Sequence, residues 1–248
     1  MKRRIRVTLA RFMGCLLAAQ SRPYPFPTGP TLVIAPHADD ETLGCGQLLA
    51  ALGVRQHPVV VAYVTDSAAP HPSYPDPSRG IIAARRRSEA EAALRALGLD
   101  SAGRRFLGAP DGRMDRLAAA ELTSIRSGIA GLLRSVKPAQ VFVPLLGDGS
   151  SEHDATHWLV TEAIAATSTP SRLWEYAVWA WWNPLRLRRQ LDRPAENHFL
   201  ADQEANRRKH AALEAHRSQI PPGSNPPLPP DFRAACCGPA EFYFCRRP

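Results

Sequence analysis

The residues best equipped for chemistry stand in two groups. His37, Asp39, Asp40 and Glu41 fall within five positions, and more than a hundred residues later the stretch GDGSSEHDATH brings Glu152, His153, Asp154 and His157. Carboxylates this close repel one another unless a cation offsets their charge. Imidazole nitrogen and carboxylate oxygen suit Zn²⁺, and three such ligands leave a coordination place for water, as hydrolytic sites do. His37, Asp40 and one histidine of the second group would supply that set. A metal lowers the pKa of its water towards neutrality. Asp39, next to a ligand but directed elsewhere by the turn, could accept the proton and return it to a leaving amine. The competing reading makes Asp40 or Glu41 the cap of the next helix, and His153 with Asp154 the start of another. It explains one carboxylate at a time, not the trio with its histidine.

Two such loops can meet only if the elements behind them are neighbours. The first group follows an apolar, β-branched run, Leu32 to Ile34, and precedes a helical segment, Thr42 to Leu52, which reads as strand, turn and helix. Pro58 to Thr65 is a second buried strand. Arg104 to Leu107 is a short third one, leading into the turn GAPDG with Asp111. Gln140 to Leu145 is a fourth strand and opens directly into the second group, whose helix runs to about Ala166. Leu173 to Trp181 reads as an aromatic fifth strand, and Glu241 to Cys245 as a terminal one. Helices are expected over Ile81 to Leu97, Leu117 to Val136 and Ala201 to Gln219, with Pro-rich loops over Ala69 to Gly80 and 221–231. This alternation predicts an α/β fold, a doubly wound, Rossmann-like, mostly parallel sheet of order 3-2-1-4-5 with helices on both faces. In that order the first and fourth strands are neighbours whose helices leave to opposite faces. A crevice opens at their carboxyl ends, where ligands bind.

The length of 248 residues fits a basic amphipathic segment over 1–28 and a single catalytic domain over 29–248. The net charge of +8 comes without a helix-turn-helix, zinc-finger or RNA-binding signature, so no nucleic-acid partner is expected. Five cysteines with no framework spacing predict a reducing, cytoplasmic compartment. The start, MKRRIRVTLARFMGCLLAAQSRP, is too short to span a bilayer. It reads as an amphipathic helix, packed on the domain or making peripheral contact with an anionic membrane surface, with packing preferred.

The motifs carry a resemblance. APHADDETLGCG is similar to the PHPDDE-type opening of the PIG-L/LmbE-like N-deacetylase family, zinc enzymes that remove acyl groups from amino sugars and related N-acyl compounds. The likeness continues in order through RRSEAEAALRALG (86–98), LGAPDG (107–112), EHDAT (152–156) and KHAALEAHRSQ (209–219). It implies His37 and Asp40 as zinc ligands, Asp39 as general base, and His153 as third ligand, aligned through Ala155 and Thr156. Another divalent metal could replace zinc. Arg86 and Asp111 resemble positions from which relatives touch sugar hydroxyls, so an N-acetylated amino sugar or glycoconjugate is the implied substrate.

Three departures stand out. Ala38 replaces a proline, Glu152 an aspartate, and Ser150 a histidine that steadies the oxyanion in the family. Zinc polarisation alone, the Ser150 hydroxyl, or another group such as His157 one helical turn beyond His153 would take over that work; His157 is also the alternative ligand if the alignment shifts by four. Rival readings are an amidase of a larger N-acyl conjugate and a sugar- or metal-binding member that no longer turns over. The aromatics from Trp174 to Trp182 read as core, His216 as a packing residue, and Cys45 between Gly44 and Gly46 as a point of close helix–sheet approach.

Overall fold

A computed structural model describes residues 2–69, 79–221 and 226–246. The helices are α1 (Lys2–Gln20), α2 (Asp40–Val54), α3 (Arg79–Ala96), α4 (Ala119–Val136), α5 (Ser151–Thr167), α6 (Arg188–Leu191), α7 (Gln203–Leu213) and α8 (Pro230–Cys236). The strands are β1 (Arg22–Pro23), β2 (Thr31–Ala35), β3 (Val59–Thr65), β4 (Gly103–Ala109), β5 (Gln140–Pro144), β6 (Arg172–Tyr176), β7 (Asn197–Leu200) and β8 (Glu241–Arg246). They form one mixed sheet in the order β1-β7-β8-β6-β5-β2-β3-β4.

This corrects the expected sheet. The five strands anticipated as parallel do run from β4 through β3, β2 and β5 to β6, but 3-2-1-4-5 is not the order of the whole sheet. β8 adds antiparallel to β6, β7 adds antiparallel to β8, and β1 closes that edge. β1 and β7 are too short to show alternation in the sequence, and β7 lies in a stretch between the expected fifth strand and the expected helix from Ala201. The Pro-rich stretch over Ala69 to Gly80 falls mostly outside the described residues, as does part of 221–231.

Central β2 pairs in parallel with β3 and β5, Val33 standing opposite Val61 and Phe142. Successive side chains alternate between faces. Val33, Ala35, Val61 and Phe142 join one apolar cluster with α1, α2, α3, α7 and α8; Leu32, Ile34, Ala62 and Val141 join a second with α4 and α5. Helix α2 therefore leaves β2 on one face, and α5 leaves β5 on the other. The crevice lies between them.

Helix α2 is buried along most of its length, which explains its glycines. A Cβ on Gly44 would come within 2.2 Å of the Tyr176 ring, whose hydroxyl donates to the Ile34 carbonyl. A Cβ on Gly46 would come within 2.6 Å of the Lys209 stem. Lys209, fully buried, donates from Nζ to the Leu43 carbonyl and to Glu241 Oε1, each at 2.7 Å. Glu241 in turn accepts the N–H groups of Gln47 and Leu48. An ion pair from α7 and β8 thus clasps α2 at mid-length.

Two element ends differ from expectation for one physical reason, a carboxylate that captures backbone N–H groups. β6 stops at Tyr176 rather than Trp181, because Asp148 accepts from Val178, Trp179 and Ala180 and turns the chain. Asp202 accepts from the Ala205 N–H and starts α7 at Gln203 rather than Ala201. At its other end α7 stops at Leu213, and Arg217–Gln219 forms a separate 3-10 turn. No helix among the described residues is long and apolar enough to cross a membrane.

Candidate metal centre

His37 sits in the turn after β2, and both its ring nitrogens are engaged. Nδ1 lies 3.0 Å from Asp40 Oδ2, which also accepts the His37 backbone N–H at 3.0 Å. Nε2 lies 2.5 Å from Glu152 Oε2 and 3.1 Å from Asp111 Oδ1. From the first turn of α5, His153 Nε2 comes to 3.3 Å of the same Asp40 Oδ2, and its Nδ1 to 2.8 Å of Asp148 Oδ2. His37, Asp40 and His153 thus offer three ligand atoms within 4.8 Å of one another.

The donor set fits a divalent cation. His153 is completely buried, yet neither of its ring nitrogens makes a hydrogen bond among the described residues; the approaches to Asp40 and Asp148 have the distance of one without its angles. An orphaned imidazole facing a carboxylate in the interior is costly unless something else lies between them. Behind the trio, Glu152 and Asp111 on the far nitrogen of His37 fix that ring, as the outer partners of metal-binding histidines do, and Asp148 stands 2.8 Å from the far nitrogen of His153. A second group, His37 with Asp111 and Glu152, also has close ligand atoms, but its two carboxylates face the outer nitrogen of His37.

The electrostatics agree. Burial works against a charged His37, but Asp111, Asp40 and Glu152 outweigh it and hold its pKa well above the ordinary value. Burial likewise opposes the His153 cation, while Asp40 and Asp148 hold its pKa up to about 9. Burial would raise the carboxyls of Asp40 and Asp111; His153 with His37 holds the first far below the usual range, and His37 the second. A cation would do as much for these carboxylates as the two imidazolium rings do.

Asp39 does not cap α2 with its side chain; instead its Oδ2 meets Arg86 Nη2 at 3.2 Å. Arg86 is buried on α3, and its Nε and Nη1 have no partner among the described residues. Both residues line a cleft of about 460 Å³, together with His37, Asp40, Asp111, Ser150, Glu152 and Trp179. His157 stays behind the site, 3.1 Å from the Pro144 carbonyl and 3.4 Å from Glu175. Trp174 is core, stacked on Phe142, whereas Trp179 reaches the cleft wall. His216 lies 3.5 Å from Glu41, one layer beneath the motif.

Two contributors, Asp148 and Ser67, are not singled out by the sequence, and a third, Glu152, stands out there only as a departure from an aspartate. Asp148 backs His153 while holding three N–H groups. Glu152 fixes His37 and accepts from Gly112, Arg113 and Met114, so its longer arm ties the PDG turn to the site. Ser67 adopts φ 56°, costly for a residue with a Cβ, and accepts the Ala38 N–H at 2.8 Å. Glu152 is visible as the acid directly before a candidate ligand and Asp148 as an acidic residue five positions before it, whereas Ser67 leaves no comparable signal.

An α/β sheet with a histidine–carboxylate group at the carboxyl ends of adjacent strands defines the class, a candidate metal-dependent hydrolase. The chain belongs to the PIG-L family, described as GlcNAc-PI de-N-acetylase, whose model matches residues 32–164, more than half its length. It is thereby a deacetylase-type hydrolase of a metal-dependent family. No curated protein matches it in sequence. Among solved structures it is similar to N,N'-diacetylchitobiose deacetylase from Pyrococcus horikoshii, with TM-score 0.60, 22% identity, and 77% of this chain and 71% of that one covered. The A40926 pseudoaglycone deacetylase Dbv21 gives TM-score 0.57, 24% identity and coverages of 88% and 97%. The 4-carboxy-2-hydroxymuconate hydratase GalB from Pseudomonas putida gives 0.62, 16%, 89% and 97%. These likenesses are of fold.

Proposed function

We propose that the protein is a zinc-dependent hydrolase removing the N-acetyl group from an amino sugar or glycoconjugate. The reading rests above all on one observation, that nitrogens of His37 and His153 converge on a single oxygen of Asp40, at 3.0 and 3.3 Å. Family membership supports it, as do deacetylases of sugar-bearing compounds among the structural relatives. The parallel run β4-β3-β2-β5-β6, with β2 beside β5, supports reading this part of the sheet as Rossmann-like and residues 29–248 as one catalytic domain around it.

In this reading His37, Asp40 and His153 hold the ion, which when bound polarises the acyl carbonyl and acidifies a water. Asp39, on the cleft wall, takes the proton from that water and returns it to the departing amine. Arg86 keeps Asp39 oriented and offers its unpaired Nε and Nη1 to a substrate hydroxyl. Asp111 already receives the Ala69 N–H and contacts His37, so its main work is to hold the ring. Ser150, at the head of α5 on the cleft wall, is the candidate to steady the carbonyl oxygen where relatives use a histidine. Acetate and a free amine are the products.

The test is metal analysis of the purified protein coupled to acetate release from N-acetylated amino sugars. Bulkier N-acyl amides and an unsaturated acid in the same panel separate an amidase and a GalB-like hydratase from a deacetylase. Zinc bound at one per chain without acetate from any sugar would overturn the reading.

A further inference from the structure

Helix α1 buries one face and leaves another bare. Ala10, Met13 and Leu17 pack into the core, while Ile5, Leu9 and Phe12, spaced as one helical stripe, remain 51%, 46% and 61% exposed. Beside them the segment after β6 presents Leu185, 72% exposed. Leu9, Phe12, Leu185, Trp179 and Trp182 line one groove of about 580 Å³. A contiguous apolar strip of this kind on a protein surface marks a docking face.

Its charge names the partner. The α1 segment carries five cations and no acid, and residues 183–193 carry four cations against one acid, so these two contacting segments hold the chain's entire net charge of +8. Arg188 and Arg189 are exposed, and Arg6 lies over the Trp182 ring at 4.7 Å. Apolar and aromatic side chains flanked by arginines are the composition of a helix that lies in the headgroup region of an anionic bilayer. We propose that α1 and residues 183–193 form an interfacial anchor that seats the protein on an anionic lipid surface. Trp179 lines both the groove and the metal-centre cleft, and Gly149 of the groove precedes Ser150 of the cleft. The seated protein therefore holds the mouth of its cleft against the headgroups.

Flotation with vesicles of equimolar phosphatidylglycerol and phosphatidylcholine, and of phosphatidylcholine alone, tests this on the full chain. Binding to the anionic vesicles, weakened by added salt, is expected, with little to the neutral ones. The double variant Phe12→Ser, Leu185→Ser, both at exposed positions, should keep the melting temperature and lose at least about tenfold in vesicle affinity. Should that variant fold poorly, Arg188→Ser with Arg189→Ser should weaken binding through charge alone. Absence of binding to anionic vesicles, or binding unaltered by these substitutions, overturns the proposal. So does a dimer in solution that the Phe12, Leu185 variant disperses, since a second copy would then be the occupant. Vesicle binding needs no turnover, so its failure leaves the deacetylase reading untouched, and the converse holds.

Discussion

Arg86 of α3 reaches across the cleft to Asp39, Nη2 to Oδ2 at 3.2 Å, and both side chains are more than nine-tenths buried. A buried carboxylate stripped of its cation is strongly disfavoured. Arg86→Ala should therefore destabilise the metal-free protein by about 3 kcal/mol, and a cycle with Asp39→Asn should give a coupling of about 1–3 kcal/mol in urea unfolding. Additive effects would mean that the two do not act as a pair.

Asp39→Asn keeps the shape of the side chain and removes its basicity. Turnover, followed by acetate release, should fall about 10²–10⁴-fold with the metal content per chain unchanged. Full activity in this variant would remove Asp39 from the proton path.

Much of this site could be read from the residues alone. His37, Asp40 and His153 meet as the two polar groups implied, because the strands behind them carry uninterrupted apolar runs that fix them as buried neighbours. Arg86 was less legible. Among Arg85 and Arg87 its charge looks solvated, and only the helix phase turns it inward while Arg85 pairs with Glu89. The far edge of the sheet was not legible at all. β7 has four residues and β1 two, and both depend on pairing with distant partners rather than on a local pattern. The end of β6 is hidden because its aromatics favour a strand, whereas Asp148, thirty residues upstream, takes the N–H of Val178 and bends the chain away.

On the proposed reading, proton and metal compete at His153. With a folded pKa of about 9 against 6.5 for the free side chain, its charged form favours the metal-free fold. That contribution is complete below 6.5 and disappears as pH rises through 9. Metal responds in the opposite sense, since the ion must displace the proton. Zinc affinity should rise across this window by up to about tenfold per pH unit for each proton released. Calorimetry in buffers of different ionisation enthalpy measures that release, and a pH-independent affinity would contradict it.

Asp148→Ala removes the carboxylate behind His153 and the acceptor of three N–H groups at once. Zinc affinity should drop about 10–100-fold, read by competition with a chromophoric chelator. Asp148→Asn, which retains an oxygen for the turn, should lose less.

Gly44→Ala tests the close approach of α2 to the sheet. With the Tyr176 ring pinned through its hydroxyl, the added methyl should cost about 1–3 kcal/mol of unfolding free energy, measured by thermal or urea melts. An unchanged melting temperature would show that the ring can yield.

The Lys209–Glu241 clasp on α2 has a temporal side. A ribosome delivers the PHADDE turn and its helix early, yet the acid that receives the Gln47 and Leu48 amides is made nearly two hundred residues later. Until β8 has docked, the scaffold behind Asp40 lacks its brace, so capture of the ion is expected to follow translation rather than accompany it.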